Sequence, residues 1–515
     1  AYDKDGNGKG RKVDIPLDMA EEIEIYRAEL VEAVAETSDE LLEKYLEIGE
    51  LSQDEFLSGL KHGVAEGKII PVLCGCATLN IGIDGLMQAI VDYLPSPENR
   101  GSVKGRSLKD GSEVVLMSDE KSPLTCLAFK TISDTYTGKL TLCRVFSGTM
   151  KADSSVYNLT RQTNERVGHI FALQGKKQIQ MDEMVAGDIG AVPRLKVTAT
   201  GDTLGNVDST TMLDPIKFPI PVMARAILPK TRSDEEKISN ALHRLVEEDP
   251  TLRVDRAEQT HELLIYGMGQ VHLDLIVERM KRRYGVDVDV KSPKVPYLET
   301  IRGTFKVQGR HKKQTGGHGQ FADIWIEISP LQRGGGFQFE NKIVGGAIPK
   351  QYVPAVEKGV REAMAEGVLA HYPMTDIRVQ LYDGSYHDVD SSELAFKIAG
   401  SLGFKKGVPN CKTILLEPIK LKDVSVTSNY VGDVIGDLNS KRGKILGIEG
   451  GDDNQVIKAH VPMSTILNYA ADLTALTAGK GSFVVEFVRY DDVPEHIVAR
   501  VVETAQAQRQ SGNKD

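Results

Sequence analysis

The sequence predicts a multidomain α+β chain: a helical N-terminal segment and a β-barrel precede two βαββαβ units, which flank a further α+β unit. Three observations carry this. At 515 residues the chain exceeds one hydrophobic core and fits about three to five domains. The apolar period changes along it from helical to strand-like, and the order strand, helix, strand, strand, helix, strand occurs twice.

Residues 1–98 form the first segment. Within 13–65, Ile23, Tyr26, Leu30 and Val34 recur at steps of three and four, which predicts one buried stripe on an acidic helix. Ile69–Leu73 reads as a strand, its end buried at Cys74-x-Cys76, and a helix follows over G-L-M-Q-A-I-V-D-Y-L. Pro95-Ser96-Pro97 closes the segment. Over 99–220 short β runs alternate with Gly, Asp and Ser, a spacing that predicts a small barrel. Residues 221–294 and 419–515 each carry the βαββαβ order of a ferredoxin-like sandwich, the second ending in a helical tail. Between them, 295–418 begins with strands and holds a helix whose stripe is Val353, Val356, Val360 and Met364; a second helix starts near Ser391.

Composition narrows the function classes. Apolar residues make up 41% and charged residues 26%, and no apolar run approaches the roughly 20 residues of a membrane span. Five scattered cysteines suit a reducing compartment rather than a disulfide framework, and eleven histidines without H-E-x-x-H spacing predict no structural metal. A net charge of −10 argues against indiscriminate nucleic-acid binding, although Arg302, Lys306, Arg310, His311, Lys312 and Lys313 form a local basic concentration.

Two loops stand out. Asp383–Ser392, D-G-S-Y-H-D-V-D-S-S, places a histidine among acids directly before a helix. Asp383-Gly384 favours a turn, and Asp390 to Glu393 has capping-box spacing. Taken alone, the loop reads first as a well-capped surface loop; the helix N-terminus behind it favours a phosphate or other anion, although Asp388 and Asp390 already supply negative charge there. Gln314–Gln320, Q-T-G-G-H-G-Q, follows the basic run, and its glycines allow close backbone approach to another surface, whether an RNA or none. Phe321 and Trp325 alternate as core or cross-strand residues. No P-loop, N-K-x-D word or G-x-S-x-G elbow occurs; Gly407-V-P-N-C-Lys412-Thr413 lacks the glycine before its lysine.

The words P-V-L-C-G-C-A, V-D-Y-L-P-S-P, R-V-F-S-G-T-M, G-M-G-Q-V-H-L-D, K-K-Q-T-G-G-H-G-Q-F-A-D, Y-D-G-S-Y-H-D-V-D-S-S-E-L-A-F-K-I-A-G and Y-V-G-D-V-I-G-D-L-N-S-K-R-G-K-I-L-G, in this order, resemble bacterial elongation factor G of the translational GTPases. The resemblance implies a fragment lacking most of the GTPase domain, in keeping with an opening A-Y-D-K-D-G-N-G-K-G-R-K that reads as a loop. It implies the end of that domain with its helical insert over 1–98, a β-barrel second domain, a ferredoxin-like third, a fourth resembling ribosomal protein S5, and a ferredoxin-like fifth. The function implied is GTP-dependent translocation of tRNA and mRNA, by a cytoplasmic monomer that contacts ribosomal RNA and proteins. Its tip loops in the decoding region fall on Gln314, Thr315, Gly316, Gly317, His318, Gly319 and Gln320, and on Gly384, Ser385, Tyr386, His387, Asp388, Val389 and Asp390. The guanine-contacting loop falls on Gly75, Cys76 and Ala77, with cysteine in place of the usual serine. GTP and Mg²⁺ belong to the full-length family protein, and this chain alone is expected to bind no cofactor and hydrolyse no GTP. At Gly269-Gln270-Val271-His272-Leu273-Asp274 the usual word is G-E-L-H-L-E, a departure expected to alter a contact of the third domain. A recycling paralogue, drug protection of the ribosome, or a free-standing RNA-binding protein are the competing readings.

Overall fold

The computed structural model describes all residues except 1, 3–7, 9, 12, 100, 135–137, 176, 232–233, 314–318, 422, 452 and 513–515. The chain divides into two compact units, Ala1–Lys217 and Phe218–Asp515.

In the first unit, helices Ala20–Ala35, Asp39–Ile48, Gln53–Ala65 and Ile83–Tyr93 precede the strands. Ser38 caps the second helix and Ser52 closes a capping box with Glu55 on the third. The predicted stripe on the first helix is not buried: Ile23, Tyr26 and Leu30 are 36%, 61% and 42% exposed, and only Val34 is covered. Contact with the third helix is made at the last turn, where Val34 and Thr37 meet Gly59. Ile69–Leu73 likewise forms no strand, and Ile70 and Val72 are 81% and 88% exposed. An apolar run becomes a buried strand only where a neighbour pairs with it, and the pairing starts at Cys76, which exchanges two backbone hydrogen bonds with Ile81.

The β-rich part holds an antiparallel eight-stranded sheet built around the long hairpin Thr125–Asp134 and Gly138–Ser147. Val167 and Ile170, from strands well separated in the sheet order, share one core with Cys126, Val145, Met150 and Leu204, so the sheet curls around it. R-V-G-H-I-F-A-L is two strands, Thr163–Val167 and Ile170–Gln174, broken at Gly168-His169. A buried carboxylate closes the fold: Glu165 accepts the N–H groups of Lys196, Val197 and Thr198 at 3.0, 2.7 and 2.8 Å.

The second unit opens with strand Met223–Pro229, helix Asp234–Glu248, strands Arg253–Arg256 and Leu263–Gly267, helix Gln270–Tyr284 and strand Val288–Lys291. In the sheet the second strand is followed by the third, first and fourth, the ferredoxin-like order. The same order recurs in Asp423–Thr427, Val431–Ser440, Lys444–Gly450, Asn454–Pro462, Tyr469–Leu476 and Ser482–Val484. The predicted fold class is therefore the one found.

Between these sandwiches, strands Phe305–Lys313, Gln320–Pro330, Ile377–Ser385 and Phe337–Asn341 form a four-stranded sheet, in that order, with the last pair parallel. Ala322, Ile324, Ile326 and Ile328 face the core with Val356, Val360 and Met364 of helix Val353–Glu366. Trp325 lies on the opposite face, across from Gln308 and Asp383. Helix Glu393–Gly407 crosses helix Val353–Glu366 at glycines: a Cβ on Gly359 would lie 1.9 Å from the Lys397 carbonyl, and one on Gly400 2.6 Å from that of Val356.

Strand Thr413–Lys420 joins this body to the C-terminal sandwich. It pairs with Leu298–Ile301 and with Phe487–Asp492, and at Ile419 and Lys420 with Asn454–Pro462. Glu417 on this strand is 2% exposed and pairs with Arg442, whose Nη2 lies 2.9 Å from Oε2. Asp492 receives both Arg302 and Arg333. Glu299, fully buried, accepts the N–H groups of Val368, Leu369, Ala370 and Tyr372 at 2.7–3.1 Å, fixing the loop between helix Val353–Glu366 and strand Ile377–Ser385.

Replacing Glu299 with alanine is expected to destabilise the second unit by at least about 3 kcal/mol, because each buried donor left unpaired costs roughly 1–3 kcal/mol. Urea unfolding followed through Trp325 measures this, and a midpoint within error of wild type would contradict it. Burial pushes the pKa of Glu165 up, but the N–H groups of Val197, Lys196 and Thr198 together outweigh it, so the pKa lies below the usual glutamate value. Its contribution to stability is accordingly full above the unfolded glutamate pKa of about 4.3 and lost as pH falls through the lower folded value. Melting temperatures between pH 5.5 and 3 should fall more steeply for wild type than for Glu165→Gln.

Candidate RNA-contacting tip

Strands Gln320–Pro330 and Ile377–Ser385 run antiparallel to the end of the sheet, with Asp323 opposite Ser385 and Ile324 opposite Gly384. The expected turn at Asp383-Gly384 is absent. Pairing continues through it, with an irregularity that leaves Tyr382 between the partners of Ile326 and Trp325. This shift turns Gly384 inward, where a Cβ would stand 2.5 Å from both the Asp323 carbonyl oxygen and Ile348 Cδ1. Cross-strand hydrogen bonds thus override the local preference of Asp-Gly.

The loop proper runs from Tyr386 to Ser392. Its helix is capped by Ser392, whose hydroxyl accepts from Ala395 N at 3.2 Å, so the anticipated box from Asp390 to Glu393 does not form. Asp390 is instead drawn to the hairpin. Its Oδ1 accepts from Gly319 N at 3.2 Å, and its carbonyl oxygen accepts from Phe321 N at 2.8 Å. Ser391 closes the loop: its hydroxyl donates to the Phe321 carbonyl at 2.8 Å and accepts from His387 N at 2.9 Å. Below it, Tyr352 stacks on Phe396 at 4.8 Å and its hydroxyl donates to the Ser391 carbonyl at 3.3 Å.

His387 is held at one nitrogen. The N–H groups of Val389 and Asp390 point at its Nδ1, each at 3.3 Å, and Asp390 Oδ2 lies 3.6 Å away. A lone pair at Nδ1 assigns the proton of the neutral ring to Nε2, on the edge not engaged by the loop. Tyr386 and Val389 beside it are 43% and 70% exposed. The tip therefore presents two rings and an outward donor, groups suited to stacking on bases and bonding to ribose or phosphate.

On the hairpin, Gly319 and Gln320 adjoin this loop, and Gln320 Oε1 lies 2.9 Å from His311 Nε2. Gln314, Thr315, Gly316, Gly317 and His318 lie outside the described residues. The basic run is partly neutralised: Lys306 meets Glu327 at 3.2 Å, Arg302 meets Asp492, and Arg310 lies 4.0 Å from Asp323 and over the Phe321 ring. Lys312 and Lys313, nearest the tip, are exposed. The bonds from Asp390 and Ser391 to the hairpin went unread in the sequence, where the only signal was a surplus of acids and serines beside the helix start.

The other singled-out residues lie elsewhere. Gly75, Cys76 and Ala77 begin a small loop closed by Cys76 and Ile81, and a Cβ on Gly75 would approach the Ile81 carbonyl to 3.0 Å. Cys74 is exposed rather than buried. The Thr78 hydroxyl, 3.4 Å from Cys76 Sγ, and then the Leu79 amide lower the pKa of the Cys76 thiol. In the first ferredoxin-like sandwich, Gln270 receives Arg225 at 2.7 Å and donates to Asp274 at 2.7 Å, while Arg225 also reaches Asn468 of the second sandwich at 2.9 Å. The departure at Gln270 and Asp274 thus lies at a contact between the two sandwiches.

Comparison with known proteins follows the same divisions. The model of elongation factor G domain 2 matches residues 123–207, domain III 218–292, domain IV 293–412 and the elongation factor G C-terminus 414–501. A crystal structure of a protein from Thermus thermophilus is 36% identical with a TM-score of 0.67, the match covering 97% of this chain and 73% of that one. The sheet that carries both tip loops lies within the span of domain IV and the two sandwiches lie on either side of it, and the chain belongs to the elongation factor G family.

Proposed function

We propose that this chain works on the ribosome in translocation of tRNA and mRNA, and that its paired loops, Gly319–Gln320 and Gly384–Asp390, meet the tRNA–mRNA duplex in the decoding region. Support comes from the family and from one observation: two loops distant in sequence are bonded into a single tip whose exposed groups include Tyr386, His387 and Val389. Such a surface suits an RNA duplex recognised by shape and backbone, since one tip must accept every codon. Asp388 and Asp390 keep the tip from being a simple phosphate trap.

The residues present do not make a GTP site by themselves. No P-loop occurs in the 515 residues to hold phosphates and Mg²⁺, and the Cys76 N–H, one of the main-chain donors of the guanine-loop word, is engaged by Ile81. What this chain supplies is the positioning of the tip, carried on the four-stranded sheet, beside which strand Thr413–Lys420 of the seven-stranded sheet bridges Leu298–Ile301 and the C-terminal sandwich.

Chemical probing of ribosomes loaded with mRNA and tRNA tests this. Added chain is expected to protect decoding-region nucleotides, and the triple substitution Tyr386→Ala, His387→Ala, Val389→Ala is expected to remove those protections while sparing the rest of the footprint. Binding of wild type with the decoding region unprotected would sink the tip reading. Protection confined to post-termination ribosomes would point to recycling instead of translocation.

A further inference from the structure

Gly319 and Asp390 are separated by 71 positions, yet a Cβ added to Gly319 would lie 2.7 Å from the Asp390 Cγ. A side chain there would have to displace the Asp390 carboxylate. The closeness is built by Asp390, which bonds to the hairpin twice, through its carbonyl oxygen to Phe321 N and through Oδ1 to Gly319 N. The first bond needs no particular residue. The second needs a side-chain acceptor of this length, because Oδ1 must reach beyond the end of the strand that begins at Gln320.

The same residue borders His387 on two sides. Its N–H, with that of Val389, is directed at Nδ1, and its Oδ2 stands 3.6 Å from that nitrogen. Anchoring of the carboxylate on Gly319 therefore fixes the backbone whose amides orient the ring. From this geometry we propose that Asp390 is the positioning residue of the tip: its carboxylate, as a hydrogen-bond acceptor, clasps the glycine-rich hairpin to the histidine loop and thereby holds the ring with Nε2 outward. Its consequence for RNA contact rests on the function proposed above, whereas the clasp itself does not. Ser391 complements it by closing the loop on the Phe321 carbonyl, but makes no contact with His387 Nδ1 among the bonds described.

The test uses the 515-residue chain with three substitutions. Asp390→Ala should accelerate exchange of the Gly319 amide proton about tenfold or more, the loss of one bond to a charged acceptor. It should also shift the His387 ring ¹⁵N signals toward a mixture of tautomers. Asp390→Asn keeps a carbonyl oxygen at the same reach and should restore both readouts to near wild type. Gly319→Ala, which displaces the carboxylate without removing it, should reproduce the alanine phenotype of Asp390. Trp325, the single tryptophan and a residue of the same sheet, reports whether each variant retains its fold. Should Asp390→Ala disturb that fold, Gly319→Ala carries the test.

Unchanged exchange and unchanged ring signals in a folded Asp390→Ala or Gly319→Ala chain would overturn the proposal. So would an Asp390→Asn chain that behaves like alanine, since charge and not the acceptor would then be the agent. On ribosomes, Asp390→Ala should weaken the decoding-region protections at least about threefold and leave others intact. If wild type protects nothing there, the RNA reading fails, and the exchange and ring signals still decide the role of Asp390.

Discussion

The C-terminal unit depends on the backbone pairing of one strand, Thr413–Lys420. Its pairings join Leu298–Ile301, the returning strand Phe487–Asp492 and strand Asn454–Pro462 of the last sandwich into one seven-stranded sheet. A strand shared in this way ties Leu298–Ile301 to the last sandwich without a flexible linker, because moving one against the other means breaking ladder hydrogen bonds. The buried Glu417–Arg442 pair sits on the same strand, where losing either partner leaves a charge without its counter-ion.

The tip extends this rigidity outward by different means. Helix Glu393–Gly407 packs against its neighbour at glycines, close enough that carbonyl oxygens occupy the places of side chains. That approach fixes where the helix begins, and Ser392 and Ser391 then fix the loop that leads into it. Exposed rings at the end of the loop are thus carried on buried aliphatic packing and on polar groups that are each satisfied. The tip proposed to meet many RNA sequences needs such a scaffold, since it would gain no orientation from base-specific bonds.

Local sequence rules succeeded where a segment's own period decides its structure. The two βαββαβ orders and the stripe of helix Val353–Glu366 were legible, because a segment with one apolar face at period 3.6 or 2 gains most by burying it; in strand Gln320–Pro330 the alternation was legible, but the buried face is Ala322, Ile324, Ile326 and Ile328 and not the one bearing Trp325. They failed where a partner was needed. Ile69–Leu73 has strand composition and pairs with no strand among the described residues, and the stripe at Ile23, Tyr26 and Leu30 stays exposed because packing begins only at Val34. Asp383-Gly384 has turn chemistry but lies in a ladder, since cross-strand bonds to Ile324 and Trp325 outweigh a dipeptide preference.

The site divides along the same line. By itself the sequence determined the fold class, the order of most helices and strands, and that two polar loops, one glycine-rich and one acid-bearing, lie in the same α+β body. Tertiary structure alone decided that Gly319 meets Asp390, that Asp390 serves a hairpin and not a helix cap, and that His387 turns Nδ1 inward. Caps and turns are written within a few residues, whereas a hydrogen bond across 71 positions forms only after the sheet has set its register.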